Sequence, residues 1–302
     1  MAYAKINSVT NANMAKVSSI AKAALGKIGG IDAPASGVDA PVTDGLIGYW
    51  RGGEGITTDT SGGTTTVSQW DNIASDRGGV AGQSWHMTQG TKADQPLYDA
   101  SDSVVRWNGG SDHQSLEFDQ TKVNYDVNYT IILVTNVHDY AQGFGVFVGG
   151  SNVAGYLRVA TTCCQKFPYY RHSGIMGWYP PYDSTASNLN TTFSGYNILG
   201  WSFAANPSDS DSLGWITNQY LFESGSDADP ANANYFSSPS NKPMYILGAY
   251  GGQTTNLIGQ DIREVMIFNK QLNQTEVTAI HAYIDGIVTL NVLPDGMDYY
   301  GS

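Results

Sequence analysis

Residues 46 to about 285 consist largely of short segments in which apolar and polar residues alternate. Glycine-rich clusters of turn-forming residues separate these segments. A two-residue period places one side of a segment in a core and the other side in solvent, which is typical of a β-strand. The clearest predicted strands are residues 129–137, 143–150, 155–160, 197–204, 213–219, 244–250 and 261–268.

Helical patterns do not alternate with these strands, so the sequence predicts an all-β fold built as a two-sheet antiparallel sandwich. One short helix is predicted near the end of the pattern. Asn273 can cap it, Glu276 stands three residues later as in a capping box, and Val277, Ile280 and Ile284 form an apolar face. We expect this helix to cover a face or an edge of the sandwich.

The first 34 residues form a repeat with a period of eleven, marked by lysines at positions 5, 16 and 27. This period is compatible with an apolar stripe along a helix. The Asn7-Ser8 and Gly29-Gly30 pairs instead favour short strands joined by two-residue turns. Either structure buries too little apolar surface to be stable alone, so we expect the arm to dock on another molecule. The docking positions are Ile6, Val9, Val17, Ile20, Ile28 and Ile31.

Composition divides the chain into four predicted sections. The repeat arm covers residues 1–34, a Pro/Ala/Ser-rich linker covers 35–45, the sandwich covers 46–285 and a tail covers 286–302. The formal net charge is −12, which disfavours nucleic acid as a partner. No stretch approaches the ~20 apolar residues that a membrane span needs, so we expect no membrane insertion.

Two stretches of the sandwich resemble a known family. The first carries Trp70-Asp71, Gln95-Pro96 and the run Arg106-Trp107-Asn108-Gly109. The second, YILGAYGGQTTNLIGQDIREVMIFNKQLNQTEVTAIHAYI, resembles a closing strand followed by a terminal helix. Together they are similar to concanavalin A-like or laminin-G-like jelly-roll modules. The resemblance covers about residues 46–285 and implies a lectin-like fold, without fixing a function.

The arm carries a second resemblance. Its tandem Ala-Lys-Ile units are similar to the starts of structural proteins of tailed bacteriophages, particularly those of marine and cyanobacterial phages. This resemblance implies a virion protein, made in the host cytoplasm and displayed on the particle as a capsid decoration, head fibre or tail fibre. Its partners would be other virion proteins and further copies of itself, with a homotrimer expected because virions repeat their parts symmetrically.

Residues 166–185 contain the densest group of aromatic side chains, and their prolines and glycines predict a loop rather than a strand. Exposed aromatic rings can stack on the apolar faces of sugars, so this stretch is a candidate for contact with host-surface carbohydrate. The same residue types also cover sheet edges and fill subunit interfaces, which leaves both interpretations open. The candidate ligand-binding residues are Tyr169, Tyr170, Trp178, Tyr179 and Tyr182.

The sequence predicts a non-enzymatic protein. A retaining glycosidase needs two carboxyl groups about 5–5.5 Å apart, and no glutamate stands in a suitable alternating acidic pattern. Asp261 and Glu264 are three residues apart on a predicted strand, so we expect them to face opposite sides. No Gly-x-Ser-x-Gly motif is present either. The alternative is a free carbohydrate-binding module or a glycan-active enzyme.

No cofactor or metal is predicted. The two cysteines are adjacent, and no group of cysteines and histidines has the spacing of a zinc site. Calcium is a further option because two loops are acidic, but neither has the Asp-x-[Asp/Asn]-x-[Asp/Asn]-Gly pattern, which favours solvated turns. The acidic residues of these loops are Asp209, Asp211, Asp227 and Asp229.

Overall fold

The structure is a computed structural model of the chain. The residues that it describes are 40–74, 85–108, 114–118, 128–139, 146–149, 157–160, 169–172, 175–178, 195–203, 213–217, 220–223, 244–246 and 259–291. The repeat arm, the acidic loops and residues 292–302 lie outside the described residues. The predicted section boundaries therefore stay predictions.

The described part of the chain is almost entirely β-structure. In chain order its strands are β1 Leu46–Arg51, β2 Ile56–Ser61, β3 Thr64–Trp70, β4 Met87–Thr88, β5 Leu97–Asp99, β6 Val104–Trp107, β7 Leu116–Phe118, β8 Tyr129–Asp139, β9 Val146–Gly149, β10 Leu157–Ala160, β11 Tyr169–His172, β12 Ile175–Trp178, β13 Tyr196–Phe203, β14 Leu213–Thr217, β15 Tyr220–Glu223, β16 Met244–Ile246 and β17 Gly259–Phe268.

Antiparallel hydrogen bonding joins these strands into two series. The first runs β1–β17–β8–β13–β14–β15. The second runs β2–β3–β4–β7–β16–β9–β10–β11–β12. β5 and β6 connect the two series, because β5 pairs with β3 while β6 pairs with the start of β17. This layout confirms the predicted all-β antiparallel sandwich. The jelly-roll order of connections stays a prediction.

Tryptophan side chains from both series lie in the core. Trp50 of β1 and Trp70 of β3 are fully buried, and the Trp70 indole Nε1 donates a hydrogen bond to the Arg51 carbonyl at 3.0 Å. Burying an aromatic side chain of this size contributes about 3 kcal/mol. The other large side chains with almost no exposure are Tyr49, Phe268, Met87, Leu116, Ile131 and Ile132.

The predicted helix is confirmed as α1, Gln274–Asp285. The Asn273 side chain accepts a hydrogen bond from the Glu276 backbone N–H at 3.1 Å, and the Glu276 carboxylate accepts one from the Asn273 N–H at 3.0 Å. The apolar face of α1 is buried. The helix covers β1, since the hydroxyls of Tyr49 and Tyr283 lie 2.8 Å apart. Within the part of the chain described, no helix is long and apolar enough to cross a membrane.

The structure corrects the prediction for the aromatic stretch. The seven clearest predicted strands all overlap observed strands. The aromatic stretch 166–185, however, is not simply a loop, because β11 and β12 lie within it and pair in antiparallel fashion. Proline and glycine flank these strands rather than interrupt their hydrogen bonding, apart from Gly177. Tyrosine and tryptophan have high β-propensity, which outweighs the turn signals here.

Candidate functional site

The second series of strands aligns one residue from each of eight neighbouring strands in a single row. In an antiparallel sheet, residues directly opposite each other lie on the same face. We call these eight positions the outer row; they are Gln69, Thr88, Glu117, Tyr245, Gly149, Arg158, Arg171 and Met176.

On β3, β4 and β7, where burial is described, the outer row lies on the solvent side of the sheet. Thr88 is exposed and Glu117 is half-buried, whereas the adjacent Met87 and Leu116 on the opposite face have no exposure. The opposite face continues through aliphatic positions such as Val148 and Val159. On β3, β4 and β7 the outer row therefore lies on the solvent side of the sheet.

The register separates the aromatic candidates. Tyr169 stands opposite Trp178, and each lies two residues from a member of the outer row, so both positions share the face of the outer row. Tyr170 stands opposite Gly177 on the other face of the sheet. The structure thus brings Tyr169 and Trp178 together and places Tyr170 on the other face. Tyr179 and Tyr182 lie outside the described residues.

Sequence reasoning missed three members of the same face. Arg158 and Arg171 stand directly opposite each other, and Tyr245 occupies the same row on β16. Between Tyr245 and Arg158 the row contains only Gly149, which has no side chain. The alternation within Tyr-Leu-Arg-Val-Ala and Tyr-Tyr-Arg-His places each arginine at a polar position of its strand. It does not reveal that the two strands are neighbours.

A second polar cluster surrounds Asp261 at the junction of β6, β8 and β17. Arg106 donates two hydrogen bonds to its carboxylate, from Nε at 2.6 Å and from Nη2 at 3.1 Å. His138 Nε2 lies 3.4 Å from the same carboxylate, and Arg106 Nη1 lies 3.3 Å from Asp99. Burial alone would raise the pKa of Asp261. The hydrogen bonds from His138 and Arg106 outweigh it and lower that pKa below its usual value.

The expectation that Asp261 and Glu264 face opposite sides of their strand is wrong. A β-bulge lies between Ile262 and Glu264, so Asp261 stands opposite Asn136 and Glu264 stands opposite Val134. These two partners are two residues apart on β8 and share a face, which places both acids on one face of β17. A bulge inserts one residue and so reverses the alternation beyond it.

Glu264 differs from Asp261 in being closed off from solvent. Its side chain is 1% exposed, and the nearest cation is Arg51, with Nε 3.6 Å from Oε1. Burial raises the pKa of Glu264 to about 7, against the opposing influence of the Tyr49 hydroxyl and the Arg51 guanidinium. The Arg51 guanidinium also lies 5.9 Å from the centre of the Tyr283 ring on α1.

Two acids with diverging pKa values on one face are typical of general acid and base pairs. A catalytic acid must, however, come within hydrogen-bond reach of its substrate. Glu264 is buried, and Asp261 is held by Arg106. We therefore assign this pair a structural role. The prediction that the chain is not an enzyme stays a prediction. Because the two acids share one face of β17, their placement no longer supports that prediction.

Across the described ranges, no group of three or more His, Cys, Asp or Glu side chains could hold a metal ion. The four aspartates considered for calcium lie outside those ranges, so the calcium option stays untested.

No protein-family model matches the chain, and no curated protein matches its sequence. Solved structures similar to it include the following three. The binding domain of Paraclostridial Mosquitocidal Protein 1 has a TM-score of 0.52 at 12% identity, covering 80% of this chain and 53% of that one. The botulinum neurotoxin serotype D/C VPI 5993 binding domain has a TM-score of 0.51 at 10% identity, covering 80% and 52%. A mutant of Trypanosoma rangeli sialidase displaying trans-sialidase activity has a TM-score of 0.51 at 11% identity, covering 81% and 34%.

These similarities support the β-sandwich fold and nothing finer. The chain spans about half the length of the two toxin binding domains and about a third of the sialidase. Shared folds at such low identity host unrelated functions, so function must be argued from the residues of the site. The concanavalin A-like or laminin-G-like assignment and the phage origin stay predictions.

Proposed function

We propose that this chain is a non-enzymatic structural protein of a tailed-bacteriophage particle. Its β-sandwich is displayed outward as a capsid decoration or fibre component and contacts host-surface carbohydrate. The N-terminal repeat docks it on other virion proteins, and the displayed form is a homotrimer. The resemblance of the arm supports the virion role, and the inability of such small repeats to fold alone supports docking.

One observation carries the proposed carbohydrate contact. In the register of β11 and β12, Tyr169 stands opposite Trp178, on the same sheet face as the outer row. Adjacent aromatic positions on a sheet provide a platform on which the apolar face of a sugar ring can stack. Two of the similar structures are themselves described as binding domains, and a third is a sialidase mutant, which is compatible with this proposal.

Trp178→Ala is expected to weaken carbohydrate binding by about tenfold or more, because buried aromatic anchors dominate such contacts. The measurement is a glycan array with the full chain, followed by titration of the best sugar. Tyr98→Ala is the matched control, since Tyr98 is a half-buried aromatic residue on β5, away from β11 and β12. Selective binding that is unchanged by Trp178→Ala would remove the platform from the proposal.

Deletion of residues 1–34 is expected to leave a folded sandwich that no longer joins phage particles, because the docking positions are lost. Incorporation is measured by immunoblot of purified particles made with the full-length or the truncated chain. Equal expression and equal circular dichroism of both chains are the controls. Truncated protein found in particles at the full-length level would contradict the docking role and favour a free carbohydrate-binding module.

A further inference from the structure

A row of polar side chains crosses four neighbouring strands around Asp261. Tyr196 of β13 stands opposite Asn136 of β8. Asn136 in turn stands opposite Asp261 of β17, and Asp261 stands opposite Arg106 of β6. Residues directly opposite each other share a face of the sheet, and the hydrogen bonds from Arg106 to Asp261 agree with this register. We call these four residues the Asp261 row.

Two β-bulges flank Asp261. One follows Ile262, and in the other His138 is the extra residue of β8, opposite the step from Gly259 to Gln260. A Cβ atom at Gly259 would lie 2.8 Å from His138 Cε1, so the glycine leaves the space that the imidazole occupies. The ring thereby reaches Asp261, with Nε2 3.4 Å from Oδ1. Bulges re-aim side chains and are frequent beside functional sites, which directs attention to this face.

The Asp261 row is open to solvent and has unused hydrogen-bonding groups. Tyr196 and Asn136 are half-buried, while the side chains of Arg106 and His138 are 32% and 40% exposed. Asn136 Oδ1 accepts a hydrogen bond from the Gly195 N–H at 3.2 Å, which leaves Nδ2 as a donor. Within the described ranges, the Tyr196 hydroxyl has no hydrogen-bond partner. The row therefore presents an amide donor and a hydroxyl side by side.

The charges of the row favour an uncharged ligand. The Arg106 guanidinium donates to Asp261 and also lies 3.3 Å from Asp99. Glu264, on the same face, is closed off from solvent and takes no part. Two carboxylates thus face one guanidinium, and this negative excess opposes the approach of an anion. A cation would meet donor groups rather than free acceptors, whereas hydroxyl groups can use the remaining donors without disturbing the ion pairs.

Apolar and aromatic groups border the row. Leu290, in the segment after α1, forms a parallel bridge with Tyr196. At the other end, the half-buried Leu97 of β5 stands opposite Arg106. At about 4.8 Å per strand, the row extends about 14 Å from Tyr196 to Arg106, which gives room for more than one sugar ring. Sugars pack their apolar faces on such side chains while their hydroxyls bond to polar groups.

From this arrangement we propose that the Asp261 row is a second carbohydrate-binding site, specific for a neutral oligosaccharide. Arg106, Asn136 and Tyr196 donate hydrogen bonds to sugar hydroxyls. Asp261 is a positioning residue that holds Arg106 and His138 in place. The site lies on β6, β8, β13 and β17, so it is independent of the aromatic pair of β11 and β12.

Calorimetric titration of the full chain compares neutral and charged sugars. The neutral probes are maltotriose, cellotriose, mannotriose and carboxyl-reduced trigalacturonate, and the charged probe is trigalacturonate itself. We expect at least one neutral trisaccharide to bind at least about tenfold more tightly than trigalacturonate, with an affinity that does not change as salt rises. Equal or tighter binding of trigalacturonate overturns the assignment of a neutral ligand.

Tyr196→Phe removes the hydroxyl and keeps the ring, so it should weaken this binding about fivefold and leave Tm unchanged. Asn136→Ala should weaken the binding by a similar factor. Tyr98→Phe is the matched control, because Tyr98 is half-buried on β5 and follows Leu97, which places it on the face opposite to that of Arg106. Unchanged affinity in both Tyr196→Phe and Asn136→Ala overturns the proposed site.

Trp178→Ala distinguishes this site from the aromatic pair. Neutral-sugar binding that is lost in Trp178→Ala and unchanged in Tyr196→Phe would locate the contact at β11 and β12 and overturn a site at the Asp261 row. Absence of binding to all five probes also overturns it. Binding of another sugar of the glycan array that depends on Trp178 would, in that case, leave the proposed carbohydrate contact intact.

Discussion

Asn72→Ala is expected to lower the free energy of unfolding by about 4 kcal/mol, because three buried backbone groups lose their partners. Asn72 is fully buried. Its Oδ1 accepts hydrogen bonds from the backbone N–H of Tyr49 at 2.9 Å and of Ala74 at 3.0 Å. Its Nδ2 donates to the Ile47 carbonyl at 3.0 Å.

The position of Asn72 explains the size of this effect. The residue follows β3 of the second series of strands, while Tyr49 and Ile47 belong to β1 of the first. The Asn72 side-chain amide therefore links the segment after β3, in the second series, to the backbone of β1, in the first. The hydrogen bond from Trp70 to the Arg51 carbonyl joins the same two strands nearby. An alanine methyl group replaces none of these hydrogen bonds, and the site is closed to water.

The measurement is urea unfolding of the full chain followed by tryptophan fluorescence. Asn269→Ala is the matched control, since Asn269 is exposed and uses its backbone N–H, not its side chain, to bond the Gly45 carbonyl at 2.8 Å. This control should change the free energy of unfolding by less than about 0.5 kcal/mol. A similar small change in Asn72→Ala would show that the observed hydrogen bonds do not hold the two series together.

Glu264→Gln is expected to abolish a fall in stability between about pH 4.5 and 7, and to make the protein more stable than the unmodified chain above pH 7. The pKa of Glu264 is raised to about 7 from an ordinary value of 4.5. In this window the folded protein keeps a proton that the unfolded chain has lost. The contribution of Glu264 to the free energy of unfolding is therefore fully present below about pH 4.5 and is lost as the pH rises through 7.

The expected magnitude is about 3 kcal/mol, from about 1.4 kcal/mol for each pKa unit. Glutamine has the shape of the protonated acid and does not titrate. The free energy of unfolding of the variant therefore stays level over the pH range in which that of the unmodified chain falls. The pKa of about 7 already includes the opposing Coulombic attraction to Arg51, whose Nε lies 3.6 Å from Oε1, so the expected magnitude is the net effect. The sign of the difference at pH 8 shows whether desolvation outweighs that attraction.

Unfolding free energies of the two proteins at half-unit steps from pH 4.5 to 8 provide the measurement. Glu54→Gln is the control, because Glu54 also faces Arg51, at 3.7 Å, but its side chain is 39% exposed. That variant should keep the slope of the unmodified chain. Parallel curves for Glu264→Gln and the unmodified chain would show that Glu264 titrates normally in the folded protein.

The predicted carbohydrate contact and the buried acid lie in different series of strands, and this separation bears on function. The outer row belongs to the second series, at β9–β12, whereas Glu264 lies on β17 of the first series. A change of Glu264 should therefore alter stability without altering sugar selectivity. Binding and stability can be tested separately on one chain.

Local patterns in the chain were sufficient for much of the fold. The alternation of apolar and polar residues located the main strands, and the spacing of Asn273 and Glu276 located the start of α1. Both signals act between residues close in sequence, so they are present before any long-range contact forms. The all-β class follows from them.

The placement of the site depended on contacts between distant segments. The bulge after Ile262 reversed the alternation and brought Asp261 and Glu264 to one face. The pairing of β10 with β11 set Arg158 opposite Arg171, and β12 joined Trp178 to Tyr169. Hydrogen bonding and core packing across the whole sandwich determine which strands pair and in which register. A two-residue alternation looks the same whichever strand is the partner, so it does not reveal the pairing. For this reason the residues of the candidate site could be named individually from the chain, while their grouping required the folded sheet.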